Sequence, residues 1–347
     1  MNPSFSISKR KIGKDYPPLV ISEIGINHNG ILDLAIHLAD TAIKHGAEII
    51  KHQTHIAEKE MSNEAKKIKP GNSNKNIFSI IKECQLSEKD EFKFAKYIKQ
   101  KKKIFISSPF SREAVDRLEK IGVPAYKIGS GECNNYPFIE YVCKKKKPII
   151  LSTGMNDIQS IKKSVKIIRK YKIPYALLHC TNIYPTPNEL VRLECINDLE
   201  RNFKDAIIGL SDHTKSIYSC LGAVSLGASI LEKHFIDDKS VRKGPDVSCS
   251  MDKNELREMI LGSKLIFSSL RGSKKALKEE TKTINFAFAS IVATKNIKKG
   301  EKLTRYNIFP IRPGTGDFGV KKFESLLGKI ATRDIKENYQ IKKRDIN

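Results

Sequence analysis

His213 in SDHT and His234 in EKHF each close a short β-rich run, and the two runs follow one another along the chain. Neighbouring strands lie about 5 Å apart. Two imidazoles there can share one divalent cation, with oxygen donors, water and substrate completing the shell. The alternative is that one or both are ordinary polar residues of a sheet. KHQTH (51–55) adds a parity argument: on a strand Lys51, Gln53 and His55 point one way, and His52 and Thr54 the other. A lysine facing an interior needs an anionic partner, because a buried unpaired ammonium is costly. Lys127 in YKIGSGE makes the same demand. Two such lysines, with Ser108, Ser130, Ser152 and Ser211, would cradle a small compound carrying phosphate and carboxylate groups. A structural lysine–glutamate pair with Glu23 or Glu132 competes with that reading. Glu132 follows GSG, whose glycines let the backbone approach a ligand; it is the candidate for acid/base work, or else a plain partner of a lysine or metal. Asn182 and Tyr184 lie in TNIYPTP, a loop stiffened by two prolines that suits either a positioned polyhydroxylated substrate or a purely structural turn.

These residues share a place in a larger pattern. Short β-rich runs recur at 18–28, 47–55, 103–110, 125–132, 148–155, 175–185, 206–214 and 229–238, each ending in polar residues. Helix-patterned segments separate most of them, at 32–46, 112–122, 157–171 and 216–228. Strands alternating with helices predict a parallel sheet, and about eight such units predict a (β/α)8 TIM barrel, whose active site forms at the carboxyl ends of the strands. A doubly wound open sheet is the runner-up, but Gly25 and Gly30 in EIGINHNG do not fit G-x-G-x-x-G. A helical stretch at 254–280 ends the pattern. The texture at 284–316, alternating apolar residues with Gly/Pro turns, predicts a small β-rich domain. The expected organisation is an N-terminal extension at 1–17, a barrel at 18–274, a linker at 275–284 and the small domain at 285–347.

Composition narrows the function classes. A chain of 347 residues, 39% hydrophobic and 29% charged, reads as globular, and its length suits one large domain plus a small one. No apolar run approaches the roughly 20 residues of a membrane helix, and the polar, basic start carries no apolar signal core; the expectation is a cytoplasmic protein with no membrane partner. Seven scattered cysteines without a C-x-x-C pair suit reduced thiols. The formal net charge of +24 raises nucleic-acid binding. The lysines are spread along the chain without an aromatic-interleaved motif, so no nucleic-acid partner is expected. A Schiff-base aldolase using Lys51 or Lys127 is a further alternative on the same barrel.

EIGINHNG, IIKHQTHI, YKIGSGECNNYP, STGM, LLHCTNIYPTP, GLSDHT, KHF, GPD and FAFAS, in this order, closely resemble the bacterial sialic acid synthase (N-acetylneuraminate synthase) family. The resemblance implies a TIM barrel followed by an antifreeze-like (SAF) domain, in a homodimer whose SAF domain is swapped over the partner's barrel. It implies condensation of phosphoenolpyruvate with N-acetylmannosamine, with C–O cleavage and release of phosphate. The divalent metal would be manganese foremost, with magnesium or cobalt as alternatives. By the same resemblance His213 and His234 are the metal ligands and Glu132 the catalytic carboxylate. Lys51, Ser108, Lys127, Ser130, Ser152, Asn182 and Ser211 form the phosphoenolpyruvate pocket. Glu23, Gln53, Asn72, Tyr184, Asp246 and Arg312 serve the sugar, Arg312 from the SAF domain. The KHQTH form points to N-acetylmannosamine. The same chemistry on a legionaminate or pseudaminate precursor, or on N-acetylmannosamine 6-phosphate, is the alternative.

Overall fold

The computed structural model describes residues 2–70 and 75–347. The chain divides into two compact units, Met1–Arg271 and Gly272–Asn347. The first unit opens with an antiparallel hairpin of β1 (Ser4–Ile7) and β2 (Arg10–Gly13). Eight strands follow: β3 (Leu19–Gly25), β4 (Ile49–Thr54), β5 (Ile104–Pro109), β6 (Tyr126–Ile128), β7 (Ile149–Ser152), β8 (Tyr175–Cys180), β9 (Ile207–Asp212) and β10 (Ile230–His234). Each falls within one of the expected runs. They pair in parallel, and β10 returns to β3 to close a TIM barrel.

The helices between the strands follow local rules. Arg112–Ile121 starts where the Ser111 side chain accepts from the Ala114 amide, buries Ala114, Val115, Leu118 and Ile121 on one stripe, and stops at Gly122 in the left-handed region, φ +75°. Asp157 caps Ile158–Lys170 in the same way, and Asp252 with Glu255 forms a capping box on Lys253–Ser269. Helices Ile77–Cys84, Glu88–Gln100, Tyr136–Cys143 and Cys195–Asn202 add to those expected from periodicity. All seven cysteines are free thiols.

Alternation along the strands sets the layers of the lumen. Leu19, Ile21, Ile49, Ile106, Ala125, Ile150, Ala176, Leu178, Ile207 and Ile230 pack into one buried cluster low in the barrel, and Ile7 and Ile12 of the hairpin belong to it. The expected N-terminal extension is therefore part of the barrel core, closing the end opposite the site. With the lower layers apolar and sealed, the polar inward residues are confined to the carboxyl ends of the strands.

In the second unit β11 (Ser290–Ala293) pairs antiparallel with β12 (Ile308–Ile311), over a core that includes Ile291, Ile297, Leu303, Ile308 and Ile341. The segment expected as a linker carries regular structure, a 3-10 turn at Lys278–Glu280 followed by the helix Thr281–Ala287.

Candidate active site

A cavity of about 360 Å³ opens at the carboxyl ends of the barrel strands. Its lining includes Glu23, Lys51, Gln53, Ser108, Lys127, Ser130, Ser152, Asn182, Tyr184, Ser211, His213, His234 and Asp246. Thus thirteen residues singled out from the sequence meet in one space.

The two lysines are not waiting for a ligand to neutralise them. Lys51 Nζ lies 2.5 Å from Glu23 Oε2 and donates to Ser108 Oγ at 3.2 Å. Lys127 Nζ donates to Ser152 Oγ at 2.7 Å and to the Ile128 carbonyl at 3.1 Å, and lies 3.4 Å from Glu232 Oε1. The lysine–glutamate alternative is therefore realised for Lys51 with Glu23, while Lys127 pairs with Glu232 and not with Glu132. Burial works against the Glu23 charge, but Lys51 and His234, with hydrogen bonds from Lys51 and Gln53, hold the carboxyl below its usual value. Burial keeps the Lys127 ammonium below the usual lysine value against the pull of Glu232. Glu232 was missed by the sequence reading, although the signal was present. It stands two residues before His234 on β10, so an inward His234 makes it inward too. Ser211 Oγ donates to its Oε1 at 3.0 Å, and its buried Oε2 has no hydrogen-bond partner.

His213 and His234 come together as expected, with ring centroids 5.5 Å apart. The Tyr184 ring packs 4.1 Å from His213 and 6.2 Å from His234. His213 Nδ1 donates to the Thr181 carbonyl at 3.0 Å, which fixes the tautomer and leaves Nε2 a lone pair. His234 Nδ1 is buried without a hydrogen-bond partner, 3.6 Å from Asp246 Oδ2. Burial lowers the pKa of both imidazoles, so near pH 7 they are neutral donors of electron pairs. Among the described residues no three His, Cys, Asp or Glu side chains are gathered as a closed metal cage. Two neutral imidazoles side by side fit a cation whose remaining positions water and substrate oxygens would fill.

Ser130 and Asn182 are brought close by a glycine. Gly154 of STGM donates its amide to Ser130 Oγ at 3.1 Å; a Cβ at Gly154 would run into Asn182 Oδ1 and stand 2.9 Å from Ser130 Oγ. Glu132 sits on the short 3-10 turn Ser130–Glu132, half-buried and outside the cavity lining, where Oε2 accepts from Asn135 Nδ2 at 2.6 Å. Burial, with Glu60 nearby, raises its pKa above the usual carboxylate value against that hydrogen bond. Arg312 is exposed just after β12 in the second unit. Asn72 lies outside the described residues.

Some polar strand ends serve the scaffold instead. Asn27 Nδ2 donates to the Phe235 carbonyl and to Ser250 Oγ, both at 2.9 Å. His28 and His52 meet through their Nε2 atoms at 3.1 Å, and His52 Nδ1 lies 3.3 Å from Glu91. His52 is packed against Phe94 and Phe105 and does not line the cavity. Of the KHQTH residues on which the choice of N-acetylmannosamine rested, Lys51, Gln53 and His55 line the cavity and His52 does not.

The barrel mouth thus holds paired lysines and carboxylates beside two adjacent imidazoles, and the chain continues into a small β-rich unit. The NeuB family model matches residues 38–275 and the SAF domain model residues 288–347. The chain belongs to the NeuB family and is a synthase-type transferase carrying a SAF domain. It is 37% identical over 332 residues to the N,N'-diacetyllegionaminic acid synthase of Campylobacter jejuni, covering 93% of this chain and 98% of that protein. It is 31% identical over 300 residues to the N-acetylneuraminate-9-phosphate synthase of Homo sapiens, covering 85% and 83%. The crystal structure of N-acetylneuraminic acid synthetase from Leptospira borgpetersenii superposes with a TM-score of 0.75 at 30% identity, covering 82% of this chain and 96% of that one. Among the described residues no helix is long and apolar enough to cross a membrane.

Proposed function

We propose that the barrel condenses phosphoenolpyruvate with the open-chain aldehyde of an N-acylated amino sugar, releasing phosphate with C–O cleavage. The observation that carries the reading is the single cavity in which Lys51, Lys127 and the serines stand beside the His213–His234 pair. The ammonium groups and the hydroxyls of Ser108, Ser152 and Ser211 offer donors to the carboxylate and phosphate of the donor substrate. His213 and His234 would hold a divalent cation, manganese being the ion proposed, which would supply Lewis-acid polarisation of the aldehyde. Gln53, Tyr184 and Asp246 orient the sugar so that C3 of phosphoenolpyruvate meets its carbonyl carbon. Water then adds at C2; the carboxylate proposed to take its proton is Glu132, which the family resemblance assigns to that role and which stands just outside the cavity lining on the turn that carries Ser130. Collapse of the resulting tetrahedral carbon breaks the C–O bond to phosphate.

Glu132→Gln is expected to lower kcat by about 10²-fold or more, the scale of one general base, while phosphoenolpyruvate still binds. Titration of the variant with phosphoenolpyruvate and a turnover assay check this; unchanged turnover removes Glu132 from the role.

Two sugars compete as acceptor. The KHQTH resemblance favours N-acetylmannosamine. A 2,4-diacetamido-2,4,6-trideoxyhexose is favoured by the apolar side of the cavity, where Ile26, Ile77, Ile80 and Ile81 line it and would suit a methyl at C6 and a second acetyl group. The 37% identity to a protein named as a legionaminic acid synthase supports the same choice. Phosphate release from phosphoenolpyruvate with manganese and each sugar in turn separates them. The preferred acceptor should have the higher kcat/KM by at least about tenfold, the scale of one or two buried methyl groups. We further propose a homodimer in which Arg312 contacts the acetamido group bound to the partner's barrel.

A further inference from the structure

His55 faces the cavity but takes no part in the chemistry above. Both of its ring nitrogens meet oxygen atoms. Nδ1 lies 3.0 and 3.1 Å from the two carboxylate oxygens of Glu60, and Nε2 lies 3.0 Å from Gln53 Oε1. The ring stacks on Phe110 with centroids 4.4 Å apart and planes 10° from parallel. On its other side the Gln53 carboxamide donates from Nε2 to Glu23 Oε1 at 2.9 Å. A carboxylate only accepts, so this contact sets which end of the amide is nitrogen, and hence which end faces His55.

The torsion that turns a glutamine amide is broad and close to two-fold, so rotamer preference alone does not hold it. Here it is held at both ends, by Glu23 below and His55 above. His55 is itself fixed by the Phe110 face and by Glu60, at the end of the short helix Ala57–Glu60. We propose that His55, braced by Glu60 and Phe110, is a positioning residue for the acceptor sugar, acting through Gln53. The locked carboxamide keeps one N–H and one oxygen lone pair for the ligand, so it reads a hydroxyl or acetamido group at a fixed position, while phosphoenolpyruvate is left to Lys51, Lys127 and the serine hydroxyls. This inference rests on the reading of the cavity as a sugar-condensing site.

The test uses whichever of N-acetylmannosamine and 2,4-diacetamido-2,4,6-trideoxymannose the wild-type enzyme turns over. His55→Ala is expected to raise the KM for that sugar about tenfold or more, while the KM for phosphoenolpyruvate stays within about twofold. Glu60→Leu should raise the sugar KM in the same direction. Glu60→Gln, which keeps an oxygen acceptor for Nδ1, should raise it less. Thermal melts report folding, and if His55→Ala does not fold, the two Glu60 variants decide. Sugar KM unchanged in the folded variants, or both KM values raised equally, overturns the positioning role while leaving the condensation reading standing. A wild-type enzyme that turns over neither sugar overturns both.

Discussion

Replacing Lys127 with methionine is expected to abolish turnover and to destabilise the barrel by about 3–5 kcal/mol, the cost of leaving one partner of a buried ion pair behind. The size follows from position. Lys127 is 2% exposed and Glu232 5%, and the lysine is the only cation within ion-pair distance of Glu232 among the described residues. Methionine fills much of the volume but leaves the carboxylate with only the Ser211 hydroxyl. The double variant Lys127→Met/Glu232→Gln separates structure from chemistry. It should recover most of the lost stability, because no uncompensated charge remains, yet stay inactive, because the ammonium facing the donor substrate is gone. Denaturant unfolding checks the first part and phosphate release the second. Recovery of activity in the double variant would show that Lys127 only neutralises Glu232.

His234→Ala is the second large effect. Turnover should fall by roughly 10³-fold or more, corresponding to several kcal/mol of lost carbonyl polarisation, and manganese retained by the purified protein should fall with it. His213→Ala should behave alike, and the double variant should be little worse than either single one, since the two imidazoles act as one unit. Stability should change much less than in the Lys127 variant, because both rings are neutral and His234 Nδ1 has no hydrogen-bond partner to strand. Full manganese retention in His234→Ala would contradict the pair as the metal site.

Much of this architecture was legible from residue order because barrel strands are short, β-branched and sharply ended. The run at 47–55 shows this: Ile49–Thr54 is the strand, and its parity correctly sent Lys51 and Gln53 inward and His52 outward. Legibility failed where the chain leaves the sheet earlier than its polar residues suggest. YKIGSGE reads as a strand carrying Glu132 into the mouth, but β6 is only Tyr126–Ile128, and the 3-10 turn that follows swings the carboxylate off the cavity wall. EIGINHNG divides in the same way. Glu23 is on the strand and in the site, whereas β3 ends at Gly25, φ +54°, and the chain turns so that Asn27 and His28 become buried ties behind the wall. The hairpin was hidden for a different reason: Ile7 and Ile12 are too sparse in a basic stretch to announce that they complete the barrel floor. Glu232 was legible by strand parity from His234, two residues further along β10.

The most direct test of the central claim uses phosphoenolpyruvate labelled with ¹⁸O at the bridging oxygen. With the accepted sugar and manganese, every phosphate released should carry the label, because the bond between C2 and the bridging oxygen breaks, and no phosphate should appear without sugar. Unlabelled phosphate, or release that ignores the sugar, would contradict condensation in this cavity.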